Sequence, residues 1–285
     1  MGWGVGAVAV VGGGGLLVED DVLPGRTRLH ELLGLNGADA PLPHASPGPR
    51  VNGSFVSRAR GGVPTGWSVS YPPGHPVGSR LPVLVSLHGA GASHTSSFDT
   101  LGLDRFLALA VAAGVAPFAI ASVDGGAHSY WHRRADGSDA GAMVAEEFVP
   151  LLARRGLDTG RLGLYGWSMG GYGALLLAGQ GKLAVRAVAV SSPALFEAAG
   201  ATAAGAYDDA ADFDAHDVFA HPEWLSGTPL MVDCGTGDPF YQATRDYVSR
   251  LHPKPAGGFQ PGAHTPGYWR RVAPAQLKFI GAQLA

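Results

Sequence analysis

The residues best placed to do chemistry lie in Gly166-Trp-Ser-Met-Gly170, a G-x-S-x-G pentapeptide. A short β-rich run over 161–165 leads into it, and a small-residue helix over 173–179 follows. This strand–turn–helix setting forces Ser168 into a tight, strained turn at the top of a sheet, where flanking glycines avoid Cβ collisions. A serine hydroxyl is a weak nucleophile near neutral pH, so it needs a base to take its proton and an acid to orient that base. With 44 glycines in 285 residues the pentapeptide alone says little. Its surroundings have to carry the reading.

On this template the chain order is nucleophile, acid, histidine. Of eleven histidines, only His252 and His264 lie beyond the plausible acids. His252, at a helix end before Pro253, reads as a capping or surface residue. His264 lies in Pro261-Gly-Ala-His-Thr-Pro-Gly267, a stretch with neither helical nor strand pattern that can present a side chain to a cleft. The competing account makes His264 a structural loop histidine. For the acid, Asp238 falls just past an apolar strand, where ligand-facing groups of an open parallel sheet collect. The competing account makes Asp238 part of a helix-entry turn. Asp233 sits within that strand and Asp246 within a helix, so neither suits the role.

An acyl-transfer site also needs two N–H groups aimed at the developing oxyanion. Met169, after the nucleophile, should supply one. The other is expected from Ala90 in Leu87-His-Gly-Ala-Gly91, with Gly91 as its substitute. His88 reads as a hydrogen-bonding brace for this loop. Together with Gly89, Gly91, Trp131, Trp167 and Phe240 it is also counted among the candidate substrate contacts. Core packing is the alternative for the aromatic ones, and for Tyr172, Trp224 and Trp269. The acidic stretch 208–217, with His216 and His221, could hold a metal, but it lacks the glycine turn of a calcium loop and reads as a solvated surface. No metal and no cofactor are expected.

The elements that must position these groups alternate. Half-buried strands are expected over 53–57 and 66–71, the second stopped by Pro72-Pro73-Gly74. Continuous apolar strands follow at 81–87, 118–123, 162–165, 185–191 and 229–234, separated by helices over 103–113, 142–155 and 173–179. Helices over 241–251 and 273–284 close the chain. Apolar strands each separated by a helix indicate a mostly parallel sheet covered on both faces, an α/β fold. Residues 51–285 read as one domain, with a short cap excursion over 194–225. Residues 1–50 read as an apolar segment followed by a Pro/Gly-rich arm with one helical patch at 27–33.

A formal net charge of −3 with only three lysines offers no nucleic-acid surface. Cys234 is the sole cysteine, which excludes an intrachain disulfide and a cysteine-based metal site. Met1 to Val18 carry no charge, and Glu19-Asp20-Asp21 ends the apolar run. That pattern reads as the hydrophobic part of an export or anchor segment, hence cell-envelope association. An irregular arm packed on a cytoplasmic domain is the other account.

With these residues in hand the chain resembles the putative-esterase group of the α/β-hydrolases, which includes the esterase D (S-formylglutathione hydrolase) and mycolyltransferase types. The resemblance runs from about Leu81 to Leu284. It rests on Leu87-His-Gly-Ala-Gly91, Val123-Asp-Gly-Gly-Ala-His-Ser-Tyr-Trp131, Gly166-Trp-Ser-Met-Gly-Gly-Tyr-Gly173, Cys234-Gly-Thr-Gly-Asp-Pro-Phe240 and Gly262-Ala-His-Thr-Pro-Gly-Tyr-Trp269. It implies an α/β-hydrolase fold, a Ser168–Asp238–His264 triad acting on a small-molecule or lipid ester, and a cleft lined by 123–131. Acyl transfer to an alcohol or sugar is the alternative activity, and a non-catalytic binding module a more distant one. Esterase D proteins usually carry a cysteine beside the oxyanion loop; this chain has none there, which argues against that specific activity.

Overall fold

The computed structural model describes residues 25–285. The apolar stretch 1–18, and the export or anchor reading placed on it, lie outside the described residues. Among the described residues no helix is long and apolar enough to cross a membrane.

Eight strands form one sheet in the order β1-β2-β4-β3-β5-β6-β7-β8. They are β1 (Arg50–Ser57), β2 (Val63–Ser70), β3 (Pro82–Leu87), β4 (Ala119–Val123), β5 (Asp158–Trp167), β6 (Ala187–Ser191), β7 (Leu230–Gly235) and β8 (Ala256–Gln260). β1 and β2 form an antiparallel hairpin that joins the sheet through β4. From β4 to β8 every neighbouring pair is parallel. The inner strands are buried on both sides, as all six residues of β3 are. Their alternation feeds two cores: Val83, Val85 and Leu87 pack into one, Leu84 into the other.

Helices cover both faces: α1 (Arg26–Leu32), α2 (Leu103–Ala112), α3 (140–154), α4 (Met169–Gly179), α5 (Ala210–Ala215), α6 (Tyr241–Arg250) and α7 (Pro266–Leu284). α3 includes a π-helical turn over Met143–Phe148. α4 is apolar around its whole circumference and buries every residue from Met169 to Ala178, as expected of a helix sealed within the core. The connection from β6 to β7 carries α5 and two single 3₁₀ turns, Ala199–Ala201 and Pro222–Leu225.

Two elements depart from the sequence pattern. β8 has no counterpart there, because Ala-Gly-Gly-Phe-Gln lacks the β-branched residues that mark a strand; its ladder to β7, Asp233 opposite Gly258, makes it an edge strand. α7 begins at Pro266 rather than near Ala273. Thr265 caps it by accepting the Tyr268 N–H, and Pro266 fits a first-turn position whose N–H has no helical acceptor anyway.

The arm ahead of β1 runs beside the loop that carries His264. Asp39 accepts from the Thr265 hydroxyl at 2.9 Å, and the Ala40 N–H donates to Gly267 O at 3.0 Å. Arg270 and Arg271 of α7 donate to the Ala40 and Ala38 carbonyls.

Candidate active site

Ser168 ends β5 and opens α4 with φ 54° and ψ −124°, a left-handed backbone that a non-glycine residue adopts only under strain. The surroundings over-determine it. Its N–H donates to Ser191 O at 3.1 Å, and its carbonyl accepts from Tyr172 and Ala194. The flanking glycines are sterically required: a Cβ on Gly166 would strike the Gly170 main chain, and one on Gly170 would strike Leu87 O.

The structure brings Ser168, His264 and Asp238 into one line. Ser168 Oγ lies 2.9 Å from His264 Nε2, and His264 Nδ1 lies 2.8 Å from Asp238 Oδ2. A carboxylate only accepts, so the ring proton sits on Nδ1 and Nε2 is left to accept the serine hydroxyl. Asp238 is 2% exposed, and its second oxygen accepts the Phe240 N–H at 2.9 Å. The acid and histidine loops are tied to each other as well: Thr236 N–H donates to Gln260 O and Gly237 N–H to Gly262 O. These bonds continue the β7–β8 ladder past the strand ends, so the strand that the sequence pattern hides is the one that aligns base and acid. Behind His264, Trp269 stands edge-on at 5.0 Å between ring centroids and anchors its own indole N–H on Ser192 Oγ at 3.1 Å.

On the oxyanion side, Met169 opens α4, where first-turn amides have no intrahelical acceptor. The substitute named for the second donor is corrected, because the Gly91 N–H already donates to Ala127 O at 2.9 Å. Ala90, exposed at the apex of the same loop, is the candidate left. His88 is also corrected as a substrate contact. It is fully buried; its Nε2 accepts the Gly125 N–H at 3.0 Å, and its Nδ1–H donates to Gly89 O at 2.8 Å. Burial pushes its pKa below the ordinary imidazole value, which keeps it the neutral brace that these two bonds require.

Two further substrate contacts are corrected. Trp131 is 0% exposed and donates to His88 O from beneath the loop. Trp167 is buried against Trp269 and Tyr165. Gly89 is buried beside Ser168 and Trp167 and has no surface to offer, whereas Gly91 is exposed. Phe240, half-buried, does reach the site: its ring lies 5.3 Å from that of His264 and 5.6 Å from Phe196 of the β6–β7 connection.

Sequence reasoning missed Asp124, which draws the neighbouring loops together. It accepts from the His94 N–H at 2.7 Å, from His94 Nδ1 at 2.9 Å and from the Gly66 N–H at 3.1 Å. Burial works to raise its pKa, but the His94 hydrogen bonds outweigh that and hold the carboxyl below its ordinary value. An aspartate directly after an apolar strand was the available signal.

Residues 62–253 match the model of the putative esterase family. Among solved structures, a ferulic acid esterase is similar at 20% identity and a TM-score of 0.66, covering 82% of this chain and 98% of that one. An S-formylglutathione hydrolase from Agrobacterium tumefaciens gives 16% identity, a TM-score of 0.66 and coverage of 83% and 95%. The fluorophosphonate-binding serine hydrolase F of Staphylococcus aureus gives 19%, 0.66, and 83% and 99%. At these identities the likeness establishes the α/β-hydrolase fold. No curated protein matches the chain.

Proposed function

Because the chain belongs to the putative esterase family, we propose that it is a serine hydrolase cleaving carboxylic esters through an acyl-enzyme on Ser168. The observation that carries this reading is the Ser168–His264–Asp238 line, with contacts of 2.9 and 2.8 Å and a buried acid. His264 Nε2 takes the hydroxyl proton as Oγ attacks the ester carbon. Asp238 steadies the imidazolium that forms, and the Met169 and Ala90 amides receive the oxyanion. The alcohol leaves with the proton from His264. Water then attacks the acyl carbon while His264 takes its proton, and His264 returns that proton to Ser168 Oγ as the acyl–oxygen bond breaks and the carboxylic acid leaves.

Phe240 and Phe196 give the site an aromatic wall beside His264, which suits an apolar or aromatic group of the ester. The likeness to a ferulic acid esterase makes hydroxycinnamate esters a sensible first series beside short p-nitrophenyl esters. Ser168→Ala should lower kcat on p-nitrophenyl acetate by about a million-fold, to near background. Turnover at the wild-type rate would overturn the proposal.

A further inference from the structure

A second cluster of histidine and aspartate lies away from Ser168, where the β6–β7 connection meets the loop after β4. Among the described residues, His132, Asp212 and His216 bring their donor atoms within 4.8 Å of one another. Both imidazoles turn Nδ1 toward the same carboxylate oxygen, Asp212 Oδ1, at 3.5 Å for His132 and 3.0 Å for His216, whose Nδ1 also lies 2.8 Å from the Asp212 main-chain carbonyl. Asp212 and His216 sit on one face of α5 and its end at i,i+4 spacing, while His132 comes from a separate segment. The other oxygen, Oδ2, accepts the Asp208 N–H at 2.9 Å, which fixes the carboxylate.

The surroundings of His132 point to what the cluster holds. Its Nε2 faces Ala206 O at 3.1 Å, and its Nδ1 faces Arg133 O at 2.9 Å as well as Asp212. Every partner is an acceptor. A neutral imidazole has one N–H, so one nitrogen must direct a lone pair at an oxygen. The missing positive charge can be a second proton or a metal ion, with Asp212 Oδ1 at 3.5 Å from Nδ1 as the counter-charge in either case. A cation at Nδ1 removes the conflict. Nε2–H then donates to Ala206 O, the orienting hydrogen bond that metal-bound histidines make, and the Nδ1 lone pair meets the ion.

We propose that His132, Asp212 and His216 form a binding site for a divalent transition-metal ion, with zinc the best-matched. Two imidazoles and one carboxylate are a borderline-soft N/O set suited to zinc, and the Arg133 carbonyl is within reach as a further ligand. Asp212 and His216 also line an open cavity of about 780 Å³, whose wall carries Asp139, Asp208 and Asp209 together with Arg133, Arg134 and Lys182, so the cluster can be reached from solvent. The sequence reading weighs His216 with His221 as metal ligands and prefers a solvated surface; in the structure His221 is not part of the cluster. His221 lies against Glu223 at 2.9 Å and stacks on Trp224. The ion would fasten the β6–β7 connection to the loop after β4. Tyr207 of that connection stacks on His132, and Phe196 reaches Phe240 beside His264.

The test uses the untagged chain, stripped with chelator and titrated with zinc chloride by calorimetry, and with cobalt(II) by visible absorption. One equivalent should bind, with the d–d bands of a low-coordinate N/O cobalt site and a rise in melting temperature. Asp212→Asn and His216→Gln should each weaken binding about tenfold or more, since even outer-sphere changes cost 10–100-fold. Ser168→Ala should bind normally, so the result stands apart from esterase activity. Because His132 is buried, the substitutions are placed at the two more accessible positions, where the fold tolerates them better. No binding by the folded wild-type chain, or binding that both variants retain unchanged, would overturn the proposal.

Discussion

His264 and His132 are both histidines beside an aspartate, yet their hydrogen-bond partners differ in kind. His264 stands between one donor, the Ser168 hydroxyl, and one acceptor, Asp238. A neutral ring satisfies both and can pass a proton between them. His88 shows the same complement with main-chain partners, Gly125 N–H and Gly89 O, and serves as a brace because no reactive atom touches it. His132 has acceptors on both sides. What decides a histidine's work is therefore the set of donors and acceptors around the ring, more than burial or the nearness of a carboxylate.

The contrast can be broken first at the acceptor of His264. Asp238→Asn replaces an obligate acceptor with an amide that can present N–H to Nδ1, which favours the wrong tautomer. kcat should fall about ten-thousand-fold with the circular dichroism spectrum unchanged. A loss under tenfold would mean that Asp238 does not set the tautomer. The brace offers a milder cut. His88→Leu removes both imidazole bonds that brace the loop under Ala90, so kcat should fall about a hundredfold, the scale of one lost oxyanion donor, with KM changing less. A rise in KM of that size at constant kcat would place the loop in substrate binding instead.

The two carboxylates around β7 sharpen the same point. Asp238 meets a histidine N–H, whereas Asp233 meets only the Gln276 amide at 2.9 Å and the edge-strand backbone. Burial, the largest influence, raises the Asp233 pKa to about 6. A carboxyl with a folded pKa above its unfolded value stabilises the fold when protonated, and that contribution is lost as pH rises through about 6. The loss is about 3 kcal/mol at most. Asp233→Asn does not titrate, so its melting temperature relative to wild type should rise between about pH 4.5 and about pH 7.5. A constant difference across that range would show that Asp233 does not titrate there.

The Ser168–Asp238–His264 line was legible because Ser168 and Asp238 follow the apolar core strands β5 and β7, with His264 after both in the order nucleophile, acid, histidine. Local patterns marked each of them: glycines around Ser168, an apolar run before Asp238 and a patternless loop around His264. β8 escaped notice because two glycines and a lone phenylalanine give no alternation, although the strand aligns Asp238 with His264. Trp131 and Trp167, unlike Phe240, were misjudged for a different reason. Composition cannot say which side of a loop a tryptophan takes, and Trp131 and Trp167 both lie against the loop of His88 and Gly89. His132 escaped because its partners come from a distant segment, and neighbours along the chain suggested His221 in its place.

Activation of Ser168 by the His264–Asp238 pair is tested most directly by incubating the chain with a fluorophosphonate and measuring intact mass and site of attachment. One adduct is expected, on Ser168, absent in Ser168→Ala and formed far more slowly in His264→Ala. An unlabelled wild-type chain, or a label on any other residue, would contradict that activation.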